Sequence, residues 1–112
     1  MTHLFVYGSL APGRANAHVL ADVAGQWEPA TVHGTLHASG WGAAIGFPGL
    51  VLDDQAQDVA GLLFHSDELD RHWARLDEFE GEGYRRVLTD ARRGDGSIVQ
   101  AWVYCLADAP VE

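Results

Sequence analysis

Ser66-Asp-Glu-Leu-Asp-Arg-His-Trp-Ala-Arg-Leu-Asp-Glu-Phe-Glu-Gly81 is the one stretch of the chain that reads as a helix of useful length, and the rest of the fold is organised around it. Ser66 is placed to cap the helix start, with Asp67 and Glu68 beside the positive end of its dipole. Leu69, Trp73, Leu76 and Phe79 recur at i, i+4, i+7 and i+10, one apolar face of a 3.6-residue period. Gly81 follows as the left-handed residue that ends it.

After the helix, Tyr84 to Ala91 reads as a strand, Arg92-Arg-Gly-Asp-Gly96 as a hairpin turn and Ser97 to Leu106 as its return. Before it, Val59 to Phe64 is a strand, Asp53-Asp-Gln55 a turn and Leu50-Val-Leu52 a brief strand. Ser39 to Gly49 sets four glycines and Pro48 among apolar residues, which marks an irregular loop carrying Trp41 and Phe47. Thr31 to His37 alternates as a strand should, with Val32, Gly34 and Leu36 on one face. Asn16 to Val23 brings Ala17, Leu20 and Ala21 toward a core and predicts a short helix ended by Gly25. Thr2 to Tyr7 is β-branched and aromatic almost throughout, which suits a first strand covered on both faces.

The order is therefore β-α-β-β-β-α-β-β. With only two short helices it predicts an α+β fold around a curled sheet, not a doubly wound parallel one. No repeat, linker or low-complexity tract divides the chain, so residues 1–112 read as a single domain.

Composition sets the outer bounds. At 112 residues, with 47% hydrophobic and 21% charged, the chain can bury one real core. A formal charge of −9 argues against nucleic-acid and anionic-membrane partners, since phosphate binding needs a basic footprint. The single cysteine, Cys105, excludes an internal disulfide and a cysteine-based zinc site, and its apolar strand surroundings suit an inert thiol. No stretch approaches the roughly 18 apolar residues of a membrane span. No basic segment precedes an apolar core at the N-terminus, so a cytoplasmic protein without a signal peptide is expected.

Chemistry has three candidate seats. Tyr7-Gly8-Ser9-Leu10 turns sharply after the first strand, and its successive N–H groups can form a nest for a carboxylate or oxyanion, or simply a turn. Asp77, Glu78, Glu80 and Glu82 crowd the helix end, where acids oppose the dipole. With Leu76 and Phe79 buried, Glu80 falls at the apolar edge, where desolvation raises a carboxyl toward a general base's working range, and Asp77 and Glu78 face solvent. The alternative is a solvated acidic end. Six histidines, His33 and His37 on one strand face among them, show no recognised metal-ligand spacing. Ser9 lacks the Gly-x-Ser-x-Gly elbow of a serine nucleophile.

Val6-Tyr7-Gly8-Ser9-Leu10, taken with Leu76-Asp-Glu-Phe-Glu80-Gly-Glu-Gly-Tyr84-Arg-Arg86 about seventy residues on, resembles the gamma-glutamylcyclotransferase-like family, and most of all its small gamma-glutamylamine cyclotransferase branch. The Phe47-Pro-Gly49 loop, Val59-Ala-Gly61 and Trp102-Val-Tyr104 agree with it. The resemblance implies a small mixed/antiparallel β-barrel flanked by short helices. It implies Glu80 as the catalytic acid/base, Tyr7, Gly8, Ser9 and Leu10 as the substrate cradle, and Tyr84 and Arg86 as further substrate-binding positions. Arg14 and the Trp41–Phe47 loop are assigned by no motif.

The reaction so implied is intramolecular aminolysis. The α-amino group of a gamma-glutamyl substrate attacks its own γ-carbonyl, closing a ring and releasing 5-oxoproline and an amine or amino acid, with no metal or redox cofactor. A second acid, Glu82, two residues beyond Glu80, departs from a simple anionic-substrate site. Two other readings stand beside it: a non-catalytic binding module for an amino-acid-like ligand, and a histidine-based metal hydrolase.

Overall fold

The structure is a computed structural model that describes residues 2–7, 17–37, 49–81 and 83–106. Strand β1 (Thr2–Val6) is followed by a 3-10 turn (Ala17–Val19), β2 (Gln26–His37), β3 (Gly49–Leu52) and β4 (Asp58–Ser66). A second 3-10 turn (Leu69–Arg71) leads into α1 (Trp73–Glu80), and β5 (Tyr84–Arg93) and β6 (Ile98–Leu106) complete the order.

The sheet runs β3-β2-β4-β1-β6-β5, and a further pairing of β2 with β5 closes five of these strands into a barrel, with β3 appended to β2. β1 and β6 run parallel, Leu4 beside Trp102 and Phe5 beside Val103. The other pairings are antiparallel. This is the mixed barrel that the resemblance implies, with one short α-helix, α1, among the described residues.

Alternation along the strands produces two apolar layers. Phe5, Ala30, Val32, Leu63, Ala91, Ala101, Val103 and Cys105 form one cluster. Their strand neighbours Leu4, Val6, Phe64 and Tyr104 form the other, covered by Val19, Leu20, Val23, Leu69 and Leu76. Leu4, Phe5 and Val6 are all buried, so β1 is covered on both faces as its apolar run predicts. The hairpin also follows its sequence: Gly96 takes φ +88° and the Asp95 carboxylate accepts the Ser97 N–H at 2.9 Å. No helix among the described residues is long and apolar enough to cross a membrane.

Several local expectations are corrected. The expected helix from Asn16 to Val23 is only a 3-10 turn over Ala17–Val19, although Val19, Leu20 and Val23 are buried. The expected helix after Ser66 is split, with a 3-10 turn before His72 and α1 after it. Ser66 does not cap α1. It ends β4, its hydroxyl donating to the Ala24 carbonyl at 2.5 Å and accepting the Glu68 N–H at 3.0 Å. Phe79 is not buried but 42% exposed, because the face that continues from Leu76 runs through the i+4 position, Glu80, and not through i+3. β2 starts at Gln26, earlier than expected, since Pro29 does not interrupt its ladder with β4. The glycine-rich loop from Ser39 to Pro48 lies outside the described residues.

Candidate active site

Leu76 is fully buried on α1, and Glu80 lies four residues further along the same face. The buried seam is therefore Leu69, Trp73, Leu76 and Glu80, with a carboxyl where the pattern would place an apolar side chain. Burial alone pushes Glu80 up to about 7, since it takes the charged form out of water. Its charge also acts on the Tyr7 and Tyr104 hydroxyls, helping burial to keep both protonated.

Tyr7 joins three strands at this end of the barrel. Its hydroxyl donates to the Tyr104 carbonyl at 2.6 Å and accepts the Leu50 N–H at 3.2 Å. Its ring stacks on Phe5, with centroids 6.5 Å apart. Gly8, Ser9 and Leu10 lie outside the described residues, as do Arg14, Trp41 to Phe47 and Glu82.

Asp77 is exposed, as expected of it, and is also held by the neighbouring strands. Its side chain is 45% exposed, but its carboxylate is turned onto the strands. It accepts the Tyr104 hydroxyl at 2.7 Å, the Arg86 Nε at 3.0 Å and the Arg86 Nη2 at 3.2 Å. These donors, Arg86 first, hold Asp77 below the usual carboxylate range. The Arg86 guanidinium also lies 4.2 Å from the Trp73 ring centroid and 4.7 Å from that of Trp102. Tyr84 is half-buried where β5 begins, its N–H reaching the Gly81 carbonyl at 3.3 Å. Gly81 itself takes φ +83°, the left-handed half of the map expected at the helix end.

A cavity of about 590 Å³ lies at this helix end, lined by Asp77, Glu78, Gly81, Tyr84, Arg85, Arg86 and Tyr104. Two of the expected substrate-binding residues, Tyr84 and Arg86, are thus in its wall. Glu80 is not part of that wall; its influence is on Tyr7 and Tyr104.

Cys105 is buried and its thiol is pushed up to about 11. His33 pairs with Asp58 at 3.1 Å, and no group of metal-ligating side chains forms among the described residues. The sequence reading missed a second polar cluster. The Nδ1 atoms of His3 and His65 lie 2.6 Å apart, His65 also meets Glu28, and the Arg93 Nε donates to both Glu28 oxygens at 3.1 Å. It also did not join Asp77 to Arg86 and Tyr104. The available signal was three acids in a helix's last turn with an arginine following in the next strand.

Residues 4–112 match the family described as gamma-glutamyl cyclotransferase, AIG2-like. A search of curated proteins finds no match. Among solved structures, YkqA from Bacillus subtilis is 31% identical with a TM-score of 0.72; the match covers 98% of this chain and 37% of that one, so the chain spans little more than a third of that relative. An AIG2-like protein from Mus musculus is 27% identical with a TM-score of 0.77, over 98% of this chain and 80% of the mouse one. A protein titled gamma-glutamyl cyclotransferase shares the fold at 15% identity and a TM-score of 0.66, over 96% of this chain and 67% of its own.

Proposed function

The chain belongs to the AIG2-like gamma-glutamyl cyclotransferase family, and on that premise we propose that it cyclises a small gamma-glutamyl substrate to 5-oxoproline, with Glu80 as general acid/base. The observation that carries this reading is the Glu80 carboxyl, raised to about 7 on the buried face of α1 and acting on Tyr7, the residue that leads into Gly8-Ser9-Leu10.

The chemistry asks for such a group. The substrate's ammonium must lose a proton before its nitrogen can attack the γ-carbonyl, and the leaving nitrogen must gain one. A carboxylate whose pKa lies near neutrality accepts the first proton and returns it to the second site at little cost. The new C–N bond closes the ring as the γ-amide C–N bond breaks. Negative charge passing onto the carbonyl oxygen is assigned to the backbone N–H groups of Gly8, Ser9 and Leu10. Tyr84 and Arg86 line the cavity at the end of α1. Holding the amine against its own carbonyl supplies the proximity term.

The test is 5-oxoproline release from a panel of gamma-glutamyl amino acids, gamma-glutamyl-ε-lysine and simple gamma-glutamyl amines, with wild type and Glu80→Gln in parallel. Release by wild type with loss in the variant is expected, and the preferred panel member identifies the leaving group. Turnover that survives in Glu80→Gln overturns the role of Glu80. Silence of the folded wild type across the panel overturns the activity and leaves a binding role for the same site.

A further inference from the structure

We propose that Asp77, Arg86 and Tyr104 form a positioning unit that anchors the last turn of α1 to the barrel and thereby holds Glu80 on its buried face. The proposal rests on Glu80 being the working carboxyl, but the unit itself is defined by its geometry.

α1 has only eight residues and a poorly supported C-terminus. Asp77, Glu78 and Glu80 stand where the dipole is negative, and no basic residue lies in its last turn. Such a turn frays unless something outside the helix compensates it. The cation is supplied from the neighbouring sheet. Arg86 on β5 and Tyr104 on β6 are register partners, so the Asp77 carboxylate spans one rung of the hairpin ladder. It receives two N–H donors from one side of that rung and an O–H donor from the other.

Arg86 is itself fixed. Its guanidinium meets Trp73, the first residue of α1, and Trp102 on β6, while its N–H groups reach Asp77 one turn along the helix. The arginine therefore holds α1 at its first residue and again one turn along. A bidentate, stacked guanidinium is a geometry that lysine does not reproduce. Asp77 lies one helical turn before Glu80, so fixing one fixes the path of the other. The same ion pair neutralises Asp77, so the acid fastening the helix adds little negative charge to the site. Arg86 and Asp77 act through Glu80 as positioning residues.

The measurement is a ¹³C-carboxyl NMR titration of Glu80, assigned by comparison with Glu80→Gln. Wild type is set against Arg86→Gln and Tyr104→Phe, and against a distant destabilised barrel variant, Val59→Ala. Both site variants are expected to lower the Glu80 midpoint by about one pH unit or more, as a carboxyl freed from burial returns toward its ordinary value. Val59→Ala is expected to leave it unchanged. Charge alone predicts the opposite for Arg86→Gln, because an uncompensated Asp77 would raise the midpoint. A raised or unmoved midpoint in folded Arg86→Gln overturns the proposal. If Arg86→Gln does not fold, Tyr104→Phe decides, since it keeps the ring and changes no charge: an unmoved midpoint there overturns it equally. The titration needs no turnover, so it decides the proposal even where the 5-oxoproline assay is silent.

Discussion

The Tyr7 hydroxyl donates to the Tyr104 carbonyl across 2.6 Å, joining the end of β1 to β6 just beyond their short parallel pairing. The same oxygen accepts the Leu50 N–H from β3, so one phenol supports three strands at the mouth of the barrel. Tyr7→Phe keeps the ring and leaves both backbone groups without this partner. Leaving part-buried groups unpaired costs about 1–3 kcal/mol. Urea unfolding should show a loss of that size in the variant, and a change below about 0.5 kcal/mol would show that water replaces the hydroxyl.

Glu80 makes stability and function oppose each other. Its folded pKa of about 7 lies above its ordinary value of 4.5, so between those limits the native state holds a proton that the unfolded chain has released. Stability tied to this group is therefore full below about pH 4.5 and falls as pH rises through 7. The cost at higher pH is about 3 kcal/mol at most. Glu80→Gln should match wild type at pH 4, exceed it in urea midpoint at pH 8, and lose about 10²–10⁴-fold in turnover. Equal midpoints at pH 8 would show that Glu80 ionises there without penalty.

Turnover by wild type should show an acid limb with a midpoint near 7, because Glu80 must lose its proton before the substrate amine can give one up. The measurement is kcat/KM from pH 5 to 9 on the best panel substrate. A limb near 4.5 would mean that the group is solvated in the free enzyme.

The strands were legible because their signals are local. The apolar run of β1 and the Asp95-Gly96 turn each carry their own conformational preference, and both stand where the sequence places them. The acidic helix end was legible as a cluster, and Glu80 as its partly buried member, through the apolar period and the family pattern together. What period alone misassigned was the next buried position after Leu76: both i+3 and i+4 continue an apolar face, and the docked helix turns Glu80 inward and leaves Phe79 exposed. Asp77, Arg86 and Tyr104 could not be joined in advance, because their contact depends on the β5–β6 register and on where the helix docks. The His3, His65, Glu28 and Arg93 cluster was hidden for the same reason. It draws one residue from each of four strands, and no spacing along the chain marks it.

Acid should loosen that cluster. His3 is held below its ordinary 6.5, first by burial and then by His65, with the N-terminus and Arg93 adding to it and Glu28 opposing. The unfolded chain therefore binds the proton more readily, and the stability tied to His3 is full above 6.5 and lost as pH falls through the folded value. Geometry agrees, since two Nδ1 atoms at 2.6 Å share one proton and cannot each carry one. Because Glu80 contributes equally to both proteins, thermal melts from pH 8 to pH 5 should show His3→Gln gaining stability relative to wild type as pH falls. Parallel slopes in the two proteins would remove His3 from the account.

Cys105 is the thiol in a chain that has one, and its position predicts inertness. Burial raises it from 9.0 to about 11, against a smaller opposing pull from Arg85. That rise reduces the thiolate share about a hundredfold at pH 8, before any steric protection by the barrel wall. Labelling by a disulfide reagent at pH 8 should therefore be slow in native buffer and complete within minutes in urea. Cys105→Ala should keep turnover within a few-fold of wild type, because the proposed chemistry passes through a carboxyl and backbone N–H groups. Rapid stoichiometric labelling of the folded protein, or loss of turnover in a folded Cys105→Ala, would place the thiol in the site and require a different mechanism.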